Sequence, residues 1–227
     1  MEEIEMRVFE DLSLQNYKRW IIPFVDEVLE YTKLKKGKIL DIGAGPGLVV
    51  KEFASRSHHF EVIGIDISPK AIQLAKKNCD GLGNVRFLVA DVYQLPFPER
   101  SFDVVVCKDS LHHFDNLRKA LKEMLRVLKK DGFLYLQDLR RDLPKYLLER
   151  SVPPDTILKK LQFYSTRAAY TKQELEKTLR ELHIHNPQIR TRKVTDQLKK
   201  KYKESGIDFV QLKEGFQARY IAIIKPK

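Results

Sequence analysis

Three acidic residues close three apolar runs. Asp41 ends the run before the loop in "ILDIGAGPG", Asp66 ends "VIGID", and Asp91 ends "FLVAD". If the runs are strands of an open parallel sheet, their C-terminal ends line one ligand crevice and the carboxylates meet along one rim. An acid after the second strand suits a ribose, because one carboxylate can accept from both hydroxyls. The glycines Gly43, Gly45 and Gly47 follow Asp41 at once. Their spacing is not G-x-G-x-x-G, which seats a pyrophosphate on a helix N-terminus. Asp41 would also repel a phosphate. The set suits a ligand that carries a ribose and a positive charge but no phosphate, and a nicotinamide-dependent oxidoreductase is disfavoured.

The elements that must position these residues follow from apolar spacing. "KILDI", "FEVIGID", "VRFLVAD", "FDVVVCK" and "FLYLQDL" read as strands, short continuous apolar runs as expected when helices cover both faces. Between them "LVVKEFASR" and "SPKAIQLAKKNCDG" read as helices, the second with Ser68 as N-cap and Pro69 at its first position. "DNLRKALKEMLRVLKKDG" reads as a helix ending at Gly132. This alternation predicts an α/β fold: a doubly wound, Rossmann-like, seven-stranded, mostly parallel sheet with an antiparallel last strand. "TKQELEKTLREL" opens with the capping box Thr171-x-x-Glu174. "QIRTRKV", "IDFVQLKE" and "ARYIAIIK" are strand candidates, and the pattern leaves open which of the first two pairs with the last.

The expected organisation is a single domain over 1–227. It divides into an N-terminal helical cap (1–36), a ligand-binding core (37–139), an insertion that caps the substrate (140–170), and a C-terminal helix with sheet-completing strands (171–227). The chain is 227 residues long, 43% hydrophobic, with a net charge of +11. Residues 1–139 hold equal numbers of basic and acidic side chains, so the whole excess falls in 140–227. That excess is either a solvated lysine-rich surface or a face for something anionic. No apolar run reaches the ~20 residues of a membrane helix, and the N-terminus lacks a signal-peptide pattern. Two cysteines, Cys79 and Cys107, show no metal-site spacing. A reduced, cytoplasmic protein without a metal is expected.

S-adenosylmethionine has a ribose, an adenine, an amino acid and a sulfonium, and no phosphate. "DIGAGPG", "GIDIS", "VADVYQLPFPERSFDVVVCKDSLHHF" and "LKEMLRVLKKDGFLYL" resemble the class I S-adenosylmethionine-dependent methyltransferases. Within that class they look like the ubiquinone/menaquinone-methyltransferase-like (type 11) branch. The resemblance covers residues 38–139. It implies S-adenosylmethionine as cofactor and S-adenosylhomocysteine as product. It implies that Asp41, Gly43, Ala44, Gly45 and Gly47 surround the methionine portion and that Asp66 holds the ribose. Ile67 would pack on the adenine, Asp91 and Val92 would receive the adenine edge, and Lys108 would line the pocket. The quinone enzymes' N-terminal Tyr-Asp-x-Met-Asn type signature is not matched by "MRVFEDLSLQNYKRW". "KDSL" stands where amino-group methyltransferases carry Asp/Asn-Pro-Pro-Tyr, which argues against base-amino or glutamine-amide chemistry.

In-line approach can supply ~7–11 kcal/mol of such a reaction, and a general base adds ~10²–10⁴-fold. His112 and His113, in "SLHHF" after the fourth strand, are the acid/base candidates. Cys107 lacks the flanking motifs of a pyrimidine-methylating thiolate and reads as a buried strand residue. Substrate contacts are expected from Phe9, Tyr17 and Trp20 and from Arg140, Arg141, Tyr146, Phe163, Tyr164 and Arg167. Aromatics with arginines suit an anionic or flat small molecule. They also suit stacked bases, so an RNA methyltransferase using the basic C-terminal third is the alternative. A non-catalytic cofactor-binding scaffold would have no need of the glycines and the acids.

Overall fold

A computed structural model describes residues 17–143, 164–191 and 219–226. A π-helical turn (Tyr17–Ile21) leads into α1 (Ile22–Thr32). Strand and helix then alternate through β1 (Gly37–Ile42), α2 (Leu48–Arg56), β2 (Phe60–Asp66), α3 (Pro69–Asn78) and β3 (Val85–Val89). β4 (Phe102–Lys108), a 3-10 turn (Leu111–His113), α4 (Leu117–Val127) and β5 (Leu128–Leu139) complete the alternating part. After it come α5 (Lys172–Glu181), β6 (Gln188–Thr191) and β7 (Arg219–Ile224). The sheet has seven strands in the order β3-β2-β1-β4-β5-β7-β6. β1–β5 run parallel to one another, and β7 lies antiparallel between β5 and β6. The order reverses at β1, so the crevice opens over the ends of β1 and β4.

Strand alternation distributes the core over both faces. Ile39, Val62, Val104 and Tyr135 pack under α1, α2 and α3 with Phe24, Phe53 and Ile72. Leu40, Ile63, Val105 and Leu136 pack under α4 and α5 with Leu121, Met124 and Leu175. The helix starts are capped as the sequence indicates: Ser68 accepts from Ala71 N–H, and Thr171 and Glu174 form a reciprocal capping box.

The fold-class expectation holds, including the antiparallel last strand, and Gln188–Thr191 supplies the sixth strand. The alternative segment, 207–214, lies outside the described residues. Two boundaries are corrected. The helix expected over 115–132 ends at Val127, and Leu128 enters β5 opposite Phe102. Lys129 then pairs with Asp103 at 2.8 Å. Gly132 is therefore a strand residue, needed because a Cβ there would come within 2.8 Å of the Asp103 carbonyl. The third strand stops at Val89, so Asp91 lies in the turn beyond it. Its carboxylate accepts from Tyr93 N–H at 2.8 Å, a local turn bond that replaces ladder pairing.

Candidate functional site

Alternation also decides which side chains share the crevice. Asp41 follows Ile39 by two residues, Asp66 follows Val62 by four and Lys108 follows Val104 by four, so all three project from the α1–α2–α3 face at the C-terminal rim.

Asp41 is 1% exposed. Its Oδ2 has no hydrogen-bond partner among the described residues. Burial pushes its carboxyl up to about 7, and Asp66 adds to the rise while Lys108 opposes it. The glycine loop beside it is tied back to β2, because Gly43 N–H and Ala44 N–H both donate to the Ile65 carbonyl at 2.9 and 2.8 Å. Gly45 has φ +49°, and a Cβ built there would meet nothing within 4 Å. Of the loop glycines, Gly43 and Gly47 are packed against Ser110 and Ala75, and Gly45 alone faces open space. Gly45 N–H and Ser68 N–H donate to the two Asp66 carboxylate oxygens, each at 2.9 Å. These bonds orient the carboxylate and leave each oxygen a further lone pair. Ile67 is 72% exposed beside it, whereas Val92 is buried.

Across β4, Lys108 bonds Asp109, which adopts a left-handed backbone conformation at φ +52°. Asp109 also accepts from Arg219 Nε at 2.7 Å, and that guanidinium lies 5.3 Å from the Trp20 ring centroid. Burial alone would raise the Asp109 carboxyl, but the Arg219 and Lys108 cations outweigh it and hold the group well below the usual range. Ser110 Oγ donates to the Gly43 carbonyl at 3.1 Å, joining the glycine loop to the turn after β4.

That turn carries the histidines. His112 is buried, and its Nδ1 lies 2.7 Å from Asp138 Oδ1. His113 is exposed, and its ring centroid lies 4.1 Å from that of His112. Desolvation and the His112 ring lower the His113 pKa, against the pull of Asp138 and Asp66.

The substrate candidates are dispersed. Tyr17 donates its hydroxyl to Glu52 of α2; burial and this carboxylate push the phenol above its ordinary value. Trp20 covers Arg219. Arg140 bonds Asp142 and Thr191, Arg141 bonds Glu174, and Tyr164 is 66% exposed. Phe9, Tyr146 and Phe163 lie outside the described residues. Asp109, Asp138 and Arg219 were not singled out from the sequence. For Asp138 a signal existed, since it is one more acid near the end of a parallel strand. Asp109 and Arg219 stand 110 positions apart, and only the fold joins them.

The fold is that of solved methyltransferases to which the chain is structurally similar. Residues 40–136 match a family model described as a methyltransferase domain. The chain is 40% identical over 103 residues to the uncharacterized methyltransferase YcgJ of Bacillus subtilis, covering 44% of this chain and 40% of that protein. It is 33% identical over 128 residues to the demethylmenaquinone methyltransferase of Thermotoga maritima, covering 56% of this chain and 53% of that protein. The matched part thus spans about half the length of these curated relatives or less. In overall fold the chain is similar to the plantazolicin methyltransferase BpumL in complex with SAH. That match has a TM-score of 0.73 at 20% identity, over 100% of this chain and 91% of that one. A SAM dependent methyltransferase from Aquifex aeolicus gives 0.66 at 17% identity, over 97% and 96% of the chains.

Proposed function

We propose that this protein transfers a methyl group from S-adenosylmethionine to a small-molecule acceptor. The observation that carries the reading is the buried, unpartnered Oδ2 of Asp41, in a rim where the half-buried Gly45 leaves its Cβ position open. A hidden acceptor atom without a donor is costly, by roughly 1–3 kcal/mol or more for a charged group. It suits a ligand bringing a cationic group, as the methionine portion of this cofactor does. Asp66, with one lone pair left on each oriented oxygen, suits the two ribose hydroxyls. The exposed Ile67 would offer an apolar surface to the adenine, and Asp91 and Val92 would receive its edge. Lys108, whose charge acts on Asp41, would line the same pocket. Bound there, the cofactor supplies an electrophilic methyl on a sulfonium.

The chain's own part is then to orient an acceptor and to take its proton. His112 and His113, on the turn after β4, are the groups for that. Trp20 and Tyr17 from the N-terminal cap, with Arg140, Arg141 and Tyr164 beyond β5, would bound the acceptor. Among the described residues no helix is long and apolar enough to cross a membrane.

Calorimetry is expected to show binding of S-adenosylmethionine or S-adenosylhomocysteine and no comparable binding of NAD. Tritiated methyl transfer into a fractionated cell extract is expected to label the small-molecule pool. Label in RNA, with RNA affinity falling along a log–log salt slope of about −4 or steeper, would replace the small-molecule reading by a nucleic-acid one. Of the basic residues such binding would use, Arg190 is bonded to Glu27 at 3.0 Å; 192–203 lie outside the described residues.

A further inference from the structure

The His112 ring is held from one side only. Asp138 sits one residue before the end of β5 and is 1% exposed. Its carboxylate accepts from three N–H groups. Oδ2 takes Leu111 N–H at 2.5 Å, and Oδ1 takes Leu139 N–H at 2.7 Å and the His112 ring at 2.7 Å. A carboxylate bonded only by donors acts as an acceptor, so the proton of that third bond belongs to His112 Nδ1. In the neutral ring Nε2 is then left as a lone-pair acceptor. No other hydrogen bond of the His112 ring exists among the described residues, and its side chain keeps 4% exposure. The same carboxylate ties down the backbone of the turn through Leu111, so it fixes both the tautomer of the ring and the segment that carries it.

We infer that Asp138 is a positioning residue that prepares His112 as the general base of the transfer. This rests on the methyltransferase reading above. In the step it serves, an acceptor X–H keeps its electron pair for the new X–CH₃ bond. The proton passes to Nε2, and the broken C–S pair leaves with sulfur as a neutral thioether. The imidazolium so formed is stabilised by the adjacent buried carboxylate. The His113 ring lies tilted at 45° against that of His112 and does not share the Asp138 bond.

Two measurements test this. The first reads the parent protein and uses a variant only to assign its signals. Long-range ¹H–¹⁵N correlation of the histidine rings, assigned by the signals lost in His112→Gln, should show Nδ1 protonated and Nε2 bare in the neutral ring. A neutral ring protonated at Nε2 would overturn the inference. The second is a double-mutant cycle on methyl transfer into the small-molecule fraction, with S-adenosylhomocysteine affinity measured on each variant. His112→Ala should lower turnover about 10²–10⁴-fold at cofactor affinity within about twofold of the parent. Asp138→Asn should lower it in the parent background and change it less than about twofold in the His112→Ala background. An equal loss in both backgrounds would make Asp138 merely structural and sink the proposal. Unchanged turnover in His112→Ala would sink it as well. Absence of S-adenosylhomocysteine binding by the parent would instead remove the methyltransferase reading, and the tautomer result would stand apart from it.

Discussion

Asp41 near the end of β1 and Asp138 near the end of β5 are equally hidden, each 1% exposed, yet their surroundings are opposite. Asp138 has three N–H donors on its two oxygens. Asp41 has an oxygen with none among the described residues. A fully bonded buried carboxylate rigidifies what it touches. An incompletely bonded one stores unfavourable desolvation that a ligand can relieve. The contrast divides the rim. The β1–β2 side keeps an unpartnered carboxylate oxygen, as the proposed cofactor site requires, and the turn beside β5 is tied down around His112.

The largest effect expected from this contrast is on stability. Burial raises the Asp41 carboxyl from 3.8 to about 7. The folded protein therefore keeps a proton that the unfolded chain loses, and stability falls as pH rises between about 4 and 7, then levels off. A shift of about three units corresponds to roughly 4 kcal/mol at ~1.4 kcal/mol per unit. Asp109 and Glu174, whose pKa values are lowered, have the opposite sign and give stability that is lost on acidification below the normal carboxylate range. The Asp41→Asn variant isolates the first contribution. Relative to the parent it should gain stability progressively from pH 4 to 7 in urea unfolding. A difference that is flat with pH would mean Asp41 is ionised throughout and that its surroundings are not as dry as the fold makes them.

Next in size is the ribose contact. Asp66→Ala removes the oriented carboxylate and its charge-assisted bonds, which should weaken cofactor binding by ~1.5–3 kcal/mol, or about 10- to 150-fold in Kd. The variant also leaves Gly45 N–H and Ser68 N–H without their acceptor. Asp66→Asn, which retains one carbonyl oxygen, should fall between the two. Parental affinity in Asp66→Ala would remove the ribose assignment and leave Asp41 as the sole anchor on that side of the rim.

The incomplete side was the more legible one. Asp41, Asp66 and the glycines are adjacent to strand ends that the apolar runs already mark. "LVVKEFASR" coincides with α2 because nothing tertiary competes with its helical spacing. The end of α4 was misjudged because Leu128 continues the apolar spacing of Leu117, Leu121 and Met124, and "KKDG" has the composition of a helix terminus. Pairing of Leu128 with Phe102, and the Lys129–Asp103 bridge, outweighed that local preference. The completed side depends on contacts between distant positions. Asp138 meets His112 from 26 residues away, and Arg219 reaches Asp109 across 110. No local pattern encodes such pairs. A rule applied to three strand ends and not to the fifth also missed the one member it could have reached.

The smallest effect is a fraction of a proton, and it compares the two carboxylates directly. With its carboxyl near 7, Asp41 is about half protonated at neutral pH. A cationic ligand seated beside it favours the ionised form, since an opposite charge within reach lowers a carboxyl pKa. Binding should therefore release about half a proton at pH 7. The release should shrink toward zero above pH 8, where Asp41 is already ionised. Calorimetric titration of S-adenosylmethionine in buffers of different ionisation enthalpy measures this number. Asp41→Asn should abolish it. Asp138→Asn should leave it intact, because Asp138 already accepts from three donors and faces His112 rather than the glycine loop. S-adenosylhomocysteine lacks the sulfonium but keeps the ammonium. A release equal to that of S-adenosylmethionine would place the ammonium against Asp41, whereas a release seen only with the sulfonium would place the reactive end there. No release with either ligand, in a protein that binds both, would show that the open oxygen of Asp41 is not where the cofactor's charge is met.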